Sequence, residues 1–331
     1  MIRHRNARTG TMLLTFVVLG NCHAIAQSQA RDPISVSDSG ILRWLPHTKE
    51  QMLNLVFGPQ EFPGFELVPN RYNGFHTNVI LNVGGNRREG AMFSKVIRCW
   101  NTTDGSKGLI DLTCTIHESS KQAIEALEAA RKRSNTPWRT GASLGTNLGD
   151  KCYSSGSPYG ASTKFAIGKA VVRIFVRAAT VPDGASYKLR DAPADFLAEA
   201  ISHAMEYRLR QNPVIAGLPT ASYRIVTSQT VKKPTLPVFD IGGEFYGPLS
   251  VLEQAGAKVT WESSKFRATV SFGDRKVNVQ PLSKPANSTT ARPVFLSGKE
   301  VIVPLRSVAT ELGMTLQSLG RDRIEITRKK T

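Results

Sequence analysis

Residues 241–261 read IGGEFYGPLSVLEQAGAKVTW and residues 297–316 read SGKEVIVPLRSVATELGMTL, so one short pattern occurs twice near the carboxyl end. Each copy contains a turn, a short extended run, a proline, about two helical turns of sequence and a glycine. Extended chain follows each copy, through residues 268–272 and 323–327 respectively. This internal repeat predicts two small β-helix-β units that share one core.

Proline and glycine mark the limits of the predicted helix in each copy. Pro248 and Pro304 suit the first helical position, because an N–H group there has no partner within the helix. Gly256 and Gly313 suit the left-handed conformation that commonly ends a helix. We therefore expect two short helices, one after each proline.

Specific residues in both copies resemble a known family. The second copy has Val303-Pro304-Leu305-Arg306, Val308-Ala309 and Leu312-Gly313, and the first has Ile241-Gly242-Gly243 and Val259-Thr260-Trp261-Glu262. Over residues 235–328 this pattern resembles the copper amine oxidase N-terminal domain family, also called the stalk domain. The resemblance implies an accessory structural domain, with structural roles for Pro248, Gly256, Trp261, Pro304, Arg306 and Gly313.

Two positions depart from the family pattern. The first copy has Gly247-Pro248-Leu249-Ser250 where the family has V-P-L-R, and Thr310 stands where the family usually has glutamate. These departures argue against the salt bridge that is standard in the family. They do not argue against the fold. Arg306 is expected to be a packing and salt-bridge residue, with anion binding as the alternative.

The resemblance does not extend to amine oxidase chemistry. Those active sites need three histidines on copper and a quinone formed from the tyrosine of an N-Y-D/E motif. Residues 221–331 contain no histidine, and the chain has no such tripeptide. The histidines at positions 47, 76, 117 and 203 have no metal-ligand spacing, so the sequence predicts neither a metal site nor a cofactor.

The part of the chain before the repeat has the pattern of an α+β domain, which we place at residues 35–212. Extended runs predict strands, with hairpin turns at residues 103–108 and at Gly168-Lys169. A capping box at Ser119 and a stripe of apolar residues ending near Arg210 predict two helices. We expect an antiparallel sheet with the helices packed on one face. Four prolines between residues 213 and 237 predict a semi-rigid linker over 213–234.

The first 26 residues are typical of a cleavable secretory signal peptide. A basic start with Arg3, Arg5 and Arg8 is followed by an apolar run, and Ala24 and Ala26 give the A-x-A cleavage pattern. We therefore expect a secreted, periplasmic or cell-surface protein without a transmembrane segment, because the run is far shorter than the ~20 residues that a bilayer requires. The alternative is a lipoprotein attached through Cys22.

An oxidising compartment would permit disulfides. Cys99 and Cys114 flank the turn at residues 103–108 symmetrically, so we predict a disulfide between them. Cys152 is left over, and it is either inert, paired between molecules, or a replacement for one partner in that bond.

The chain is basic, with a formal net charge of +17, three units of which lie in the leader. The charges are scattered and no nucleic-acid-binding motif accompanies them. Outside the cytoplasm, such a surface favours an envelope polyanion or polysaccharide as the partner. The alternative is a basic surface that serves solubility alone.

A secreted hydrolase is the rival to a binding protein. Gly141-Ala142-Ser143-Leu144-Gly145 matches the G-x-S-x-G pattern, and Asp191 or Asp195 and then His203 follow in the hydrolase order. That motif requires a strand before the serine and a helix after it, which the neighbouring sequence does not provide. Cys152 with His203 is a second candidate pair, although no helix start or cation activates the thiol. We therefore favour a non-enzymatic module, in which a stalk-like domain presents the α+β domain.

Overall fold

A computed structural model describes residues 49–58, 61–62, 65–67, 74–76, 82–83, 86–87, 94–102, 109–142, 145–157, 160–177, 194–220, 222–227, 231–232, 234, 236–262, 267–282 and 292–328. They belong to one compact unit that spans residues 41–331. The expected signal peptide and Cys22 lie outside the described residues.

Six helices and a larger set of strands occur in the described part of the chain. The helices are α1 Lys49–Leu53, α2 Ser120–Lys132, α3 Ala194–Gln211, α4 Pro213–Ala216, α5 Ser250–Gln254 and α6 Leu305–Glu311. The strands of the amino-terminal part are β1 Phe65–Leu67, β2 Gly74–His76, β3 Asn82–Val83, β4 Asn86–Arg87, β5 Ser94–Thr102, β6 Leu109–Ile116, β7 Arg139–Thr140, β8 Lys151–Ser157, β9 Gly160–Ile167 and β10 Ala170–Arg177. Those of the carboxyl-terminal part are β11 Arg224–Val226, β12 Val231–Lys232, β13 Phe239–Ile241, β14 Glu244–Pro248, β15 Lys258–Glu262, β16 Arg267–Phe272, β17 Arg275–Val279, β18 Phe295–Ser297, β19 Glu300–Pro304, β20 Met314–Ser318 and β21 Arg323–Arg328. The predicted α+β class is confirmed.

The amino-terminal part is built on an antiparallel sheet. Its strand order is β1-β5-β6-β10-β9-β8-β7, and β2 also pairs with β5. Both predicted hairpins form: β5 pairs with β6, and β9 pairs with β10 across Gly168, whose φ of 53° suits glycine. The centre of the sheet is therefore a pair of hairpins joined along β6 and β10.

Helices cover both faces of this sheet, which corrects the expectation of one face. Buried and half-buried residues alternate along β10, so neighbouring side chains point to opposite faces. Val172 belongs to the main apolar core together with α3, whereas Val171 packs in a smaller cluster with Leu127 of α2. Two helices can share one sheet because each face carries its own apolar residues.

The predicted Cys99–Cys114 disulfide is wrong. The register of β5 and β6 places Cys99 opposite Asp111 and places Cys114 opposite Val96. Asp111 and Cys114 are three residues apart on β6 and therefore lie on opposite faces of the strand. Cys114 and Cys152 are free, buried thiols. The symmetry of the two cysteines about the turn did not fix the register.

The helices begin and end near the predicted positions. The Ser119 side chain accepts a hydrogen bond from the backbone N–H of Gln122 at 3.2 Å, which caps α2. The reciprocal half of the predicted capping box does not form, because the Gln122 side chain donates to Glu118. The residues just before α3, including the hydrolase candidate Asp191, lie outside the described residues.

Secondary structure occurs within the segment predicted as a linker. It contains α4, and β11 pairs in parallel with β21 while β12 pairs with β11. Ile225 of β11 is fully buried in the core of the repeat. The frequent prolines indicated a linker. Exposed and buried side chains nevertheless alternate over residues 224–226, and this segment adds a strand to the sheet that contains β21. The division of the chain into domains at residues 212 and 235 remains a prediction.

The two copies of the repeat interleave. Strands β13 and β14 of the first copy and β18 and β19 of the second form one sheet in the order β13-β14-β19-β18. The copies meet at β14 and β19, where Tyr246 lies opposite Pro304. Apolar residues from both helices and from the flanking strands form one core, as the sequence predicts.

Within the described part of the chain, none of the helices combines the length and the apolar character needed to cross a bilayer.

Candidate functional site

Cys152 and His203, the cysteine hydrolase candidates, are both buried but are not a catalytic pair. Cys152 lies on β8 opposite Phe165, and His203 lies in the middle of α3. The Nδ1 atom of His203 is 2.9 Å from the carbonyl oxygen of Glu199, and its Nε2 atom has no hydrogen-bond partner among the described residues. Neither imidazole nitrogen is therefore hydrogen-bonded to the thiol, as activation of a nucleophile requires.

Burial also keeps both groups neutral. It raises the pKa of the Cys152 thiol to about 12, with a further contribution from the charges of Glu199 and Glu206. Burial lowers the pKa of His203 to about 4. A buried thiol with a raised pKa is typical of an inert cysteine.

The glycine-rich stretch around Ser143 forms a loop between two antiparallel strands. The backbone N–H of Gly141 donates to the carbonyl of Cys152, and that of Ala142 donates to the carbonyl of Thr146. Gly141 and Gly145 have φ values of 88° and 80°, which favour glycine. The loop joins β7 to β8, so the strand-turn-helix context of a hydrolase motif does not occur there. Ser143 itself lies outside the described residues.

Two buried carboxylates of α3 hold this loop in place. Glu199 accepts a hydrogen bond from the hydroxyl of Thr146 at 2.5 Å. Glu206 accepts one from the backbone N–H of Gly149 at 2.8 Å and pairs with the guanidinium of Arg210. Burial raises the pKa of Glu206, while Arg210 and the Gly149 N–H oppose the rise. These glutamates therefore have an identifiable structural role.

Helix α3 also packs against the repeat part of the molecule through aromatic side chains. The Tyr207 hydroxyl donates to the carbonyl of Pro237 at 2.6 Å, and its ring lies edge-on to Phe239 and Phe295. Tyr246 stacks on Phe295 with 5.4 Å between ring centroids, and His203 lies 5.3 Å from the Tyr246 ring. Side chains from both parts of the chain thus form one continuous core.

A polar contact reinforces this junction at its margin. Glu61 is buried, is paired with Arg208 of α3, and accepts a hydrogen bond from the backbone N–H of Gly298 at 2.7 Å. Gly298 lies in the turn between β18 and β19, which belongs to the second copy of the repeat. One carboxylate therefore contacts both α3 and the repeat.

The residues that the family resemblance marks as structural have the following positions. Pro248 and Pro304 are the last residues of β14 and β19, and Pro304 is the N-cap of α6. They precede the first helical position predicted for them, because the helices start one or two residues later. Gly256 and Gly313 follow the helices with φ values of 92° and 74°, as predicted. Trp261 lies on β15 and is 40% exposed.

Arg306 makes structural contacts. Its guanidinium donates to the carbonyl of Gly243 at 3.0 Å and lies over the ring of Phe245. Thr310, at the position where the family has glutamate, donates to the carbonyl of Arg306. Among the described residues no carboxylate forms a salt bridge with Arg306, in agreement with the doubt raised by Thr310.

Glu244 has a role that the sequence did not reveal. It is buried in the first copy, yet its carboxylate binds the start of α6 in the second copy. It accepts hydrogen bonds from the backbone N–H of Arg306 at 3.0 Å and from the hydroxyl of Ser307 at 2.7 Å. A buried carboxylate at a helix start satisfies unpaired N–H groups and complements the helix dipole. The contact therefore fastens one repeat to the other.

A group of cations lies on the face of the amino-terminal sheet that packs against α2. Lys164 of β9 lies directly opposite Arg173 of β10, and its Nζ atom is 4.3 Å from the centre of the Trp138 ring. Burial and the nearby charges of Arg173 and Arg133 lower the pKa of Lys164 to about 8. We call Trp138, Lys164 and Arg173 the cationic cluster.

A neighbouring group on the same face is electrically balanced. Glu128 of α2 accepts a hydrogen bond from the Tyr153 hydroxyl and forms ion pairs with Lys151 and Arg131. Burial raises the pKa of Glu128, but the hydrogen bonds from Lys151 and Tyr153 and the two positive charges outweigh it and lower the pKa to about 2. The cationic cluster, by contrast, has no such acid among the described residues.

The sequence contains a signal for the cationic cluster. Lys164 and Arg173 are equally distant from the predicted turn at Gly168-Lys169, so the hairpin alone would place them opposite each other. No cluster of histidine, cysteine, aspartate and glutamate in the described part of the chain has the composition of a metal site.

Residues 225–326 match the family described as copper amine oxidase N-terminal domain. The match covers about a third of the chain, and it begins within β11 and ends within β21. No curated protein and no solved structure matches the chain. The resemblance seen in the repeat is therefore confirmed for this segment, and it indicates a non-catalytic, stalk-like module there.

Proposed function

We propose that this protein is a non-enzymatic extracytoplasmic module, in which the stalk-like repeat holds and presents the α+β part to an anionic polymer of the cell envelope. The observation that carries the proposal is the continuous core between the two parts. Tyr207 and His203 of α3 pack against Phe239, Tyr246 and Phe295 of the repeat. A repeat that is packed in this way fixes the orientation of the sheet above α3, as a presenting module requires.

The state of the hydrolase candidates supports a role without catalysis. Cys152 and His203 are buried, neutral and not hydrogen-bonded to each other. Their surroundings consist of structural contacts: Glu199 and Glu206 hold the loop that contains the glycines, and Tyr246 packs on His203. The proposed role of the α+β part is therefore to provide a binding surface.

Two features support an anionic polymer as the partner. The formal net charge of +17, which is +14 without the three arginines of the leader, attracts polyanions over about 10 Å at ordinary ionic strength. The leader-like sequence of residues 1–26 supports export to a compartment where acidic glycans are available. An acidic polysaccharide is therefore the partner class that we propose.

Retention on immobilised polygalacturonate tests the binding function. We expect wild-type protein to be retained at low salt and to be released as salt screens the charges. A neutral polymer of the same backbone, such as methyl-esterified polygalacturonate, is the control. Equal retention on both polymers, or no retention on either at physiological salt, would contradict the proposal.

An ester and peptide substrate panel tests the absence of catalysis. We expect no turnover by the wild-type protein beyond that of Ser143→Ala and Cys152→Ala variants prepared in parallel. Turnover that is lost in either variant would establish the hydrolase instead.

The amino-terminal residue of protein recovered from the native host, determined by mass spectrometry, tests the proposed cleavage after Ala26.

A further inference from the structure

Lys164 and Arg173 face each other on adjacent strands, an arrangement that is unfavourable unless something neutralises it. Directly opposed residues in an antiparallel pair have Cβ atoms about 5 Å apart, and like charges at that distance destabilise the sheet. Both side chains are only partly exposed, so solvent screens their repulsion incompletely. In the described part of the chain, no carboxylate forms an ion pair with either side chain.

The sheet holds these two cations in a fixed position. The β9–β10 hairpin is paired along its full length, and β10 is also paired with β6 on its other side. The Trp138 ring lies against the Lys164 ammonium group, and the carboxyl end of α2 brings Arg133 close enough to influence Lys164. The strand pairing therefore keeps the Cα atoms of Lys164 and Arg173 opposite each other.

The acid of the neighbouring balanced group already has partners. Glu128 is occupied by Lys151, Arg131 and Tyr153. Tyr153 lies opposite Lys164 on β8, so the Glu128 group borders the cluster without neutralising it. An external anion would therefore relieve the repulsion between Lys164 and Arg173.

The unused hydrogen-bonding capacity of the cluster specifies the chemistry of that anion. The Trp138 Nε1 and Arg173 Nε atoms are both buried donors, and neither has a hydrogen-bond partner among the described residues. Lys164 contributes a third donor group, and its contact with the Trp138 ring uses no acceptor. A ligand for three donors and two positive charges must offer several acceptor oxygens and a negative charge. Arginine matches the planar fork of such a group particularly well.

We propose that Trp138, Lys164 and Arg173 form a binding site for an oxyanion, a carboxylate or phosphate group that is borne by the anionic polymer. The polymer as the source of the group rests on the proposed function, whereas the site itself does not. Residues of α2 border the site on one side.

Titration of the full-length protein with galacturonate and, separately, inorganic phosphate tests the site. The readout is the indole N–H resonance of Trp138, assigned with a Trp138→Phe variant and followed at constant ionic strength. We expect a saturable shift with one or both anions. A shift with galacturonate alone identifies a carboxylate as the group, and a shift with phosphate alone identifies a phosphate.

Charge-removing variants separate the site from general basicity. Lys164→Gln and Arg173→Gln are each expected to weaken binding roughly tenfold or more, because each removes a charge-assisted hydrogen bond. The matched control, Lys299→Gln combined with Arg321→Gln, removes two exposed charges from the repeat and should leave the affinity unchanged. An equal loss in the control, or no saturable shift in the wild type, would overturn the proposal.

A stability measurement distinguishes an anion site from a structural role. Without added anion, Arg173→Gln relieves the repulsion with Lys164, so its melting temperature should exceed that of the wild type. Added anion should raise the melting temperature of the wild type and not that of the variant. A lower melting temperature for the variant without anion would instead show that Arg173 stabilises the sheet.

The outcomes for the site and for the proposed function can be told apart. If wild-type protein and both cluster variants bind polygalacturonate equally, the site is wrong and polymer binding stands. If the small anions bind at the cluster but the polymer is not retained, the site stands and the polymer is wrong.

Discussion

Replacing Glu244 by alanine tests the contact that joins the two copies of the repeat. The substitution removes the carboxylate that accepts hydrogen bonds from the Arg306 N–H and the Ser307 hydroxyl. Bonds to a buried charged acceptor contribute about 1.5–3 kcal/mol each, and the loss of a helix cap alone costs about 0.5–2 kcal/mol. These contributions overlap, so we expect the free energy of unfolding to fall by about 2–4 kcal/mol.

Urea denaturation followed by circular dichroism measures this loss. With an m value of about 3 kcal/mol/M, the midpoint should fall by roughly 1 M. Glu300 occupies the equivalent position in the second copy but is exposed, so Glu300→Ala is the matched control and should cost less than about 0.5 kcal/mol. A double-mutant cycle with Ser307→Ala should give a coupling energy of about 1 kcal/mol or more. Equal losses for Glu244→Ala and Glu300→Ala, within about 0.5 kcal/mol, would refute the reasoning.

Three further predictions concern the core. Tyr207→Phe removes the hydroxyl that donates to a backbone carbonyl across the junction, and thermal unfolding should show a loss of about 1–2 kcal/mol, whereas the half-buried Tyr223→Phe serves as a control of small effect. Burial lowers the pKa of His203 from 6.5 to about 4, so between these pH values the folded protein binds fewer protons than the unfolded chain. The free energy of unfolding should therefore fall by about 3 kcal/mol as the pH drops from 6.5 to 4. His203→Phe should reduce this pH dependence in urea titrations across about pH 4–7. Burial raises the pKa values of the Cys114 and Cys152 thiols to about 12. Maleimide should therefore label neither thiol in the native protein and both in denaturant, as measured by mass spectrometry. Rapid labelling of either thiol in the native protein would show that it is not buried.

The repeat could be predicted almost completely from its sequence. Its residues are close in the chain, and the proline and glycine signals act over a few positions, so both helices and their stops lie where expected. Pro248 and Pro304 lie two residues and one residue before their helices, whereas the first helical position was predicted for both. This difference is within the usual uncertainty of a helix boundary. The family match to residues 225–326 confirms the resemblance.

Predictions that depended on register or distant packing were the weak ones. The Cys99–Cys114 disulfide failed because a three-residue offset in the β5–β6 ladder changes both the partner and the face of each residue. The expected single covered face failed because Val171 and Val172 support different helices on opposite sides. The spacing of residues along the chain specifies neither the strand register nor the faces that the helices cover.

By itself, the sequence determined the α+β class, the two hairpins, the Ser119 cap of α2 and the stalk-like repeat, because these depend on neighbouring residues and on periodicity. Only the tertiary structure decided that β11 joins the repeat, that Glu244 caps a helix of the other copy, and that α3 is packed into the repeat. It also decided that no carboxylate of the described residues forms an ion pair with Lys164 or Arg173 and that Cys152 and His203 are buried and neutral. Burial and charge at a site are set by residues that are distant in the chain, so they emerge only when the elements pack.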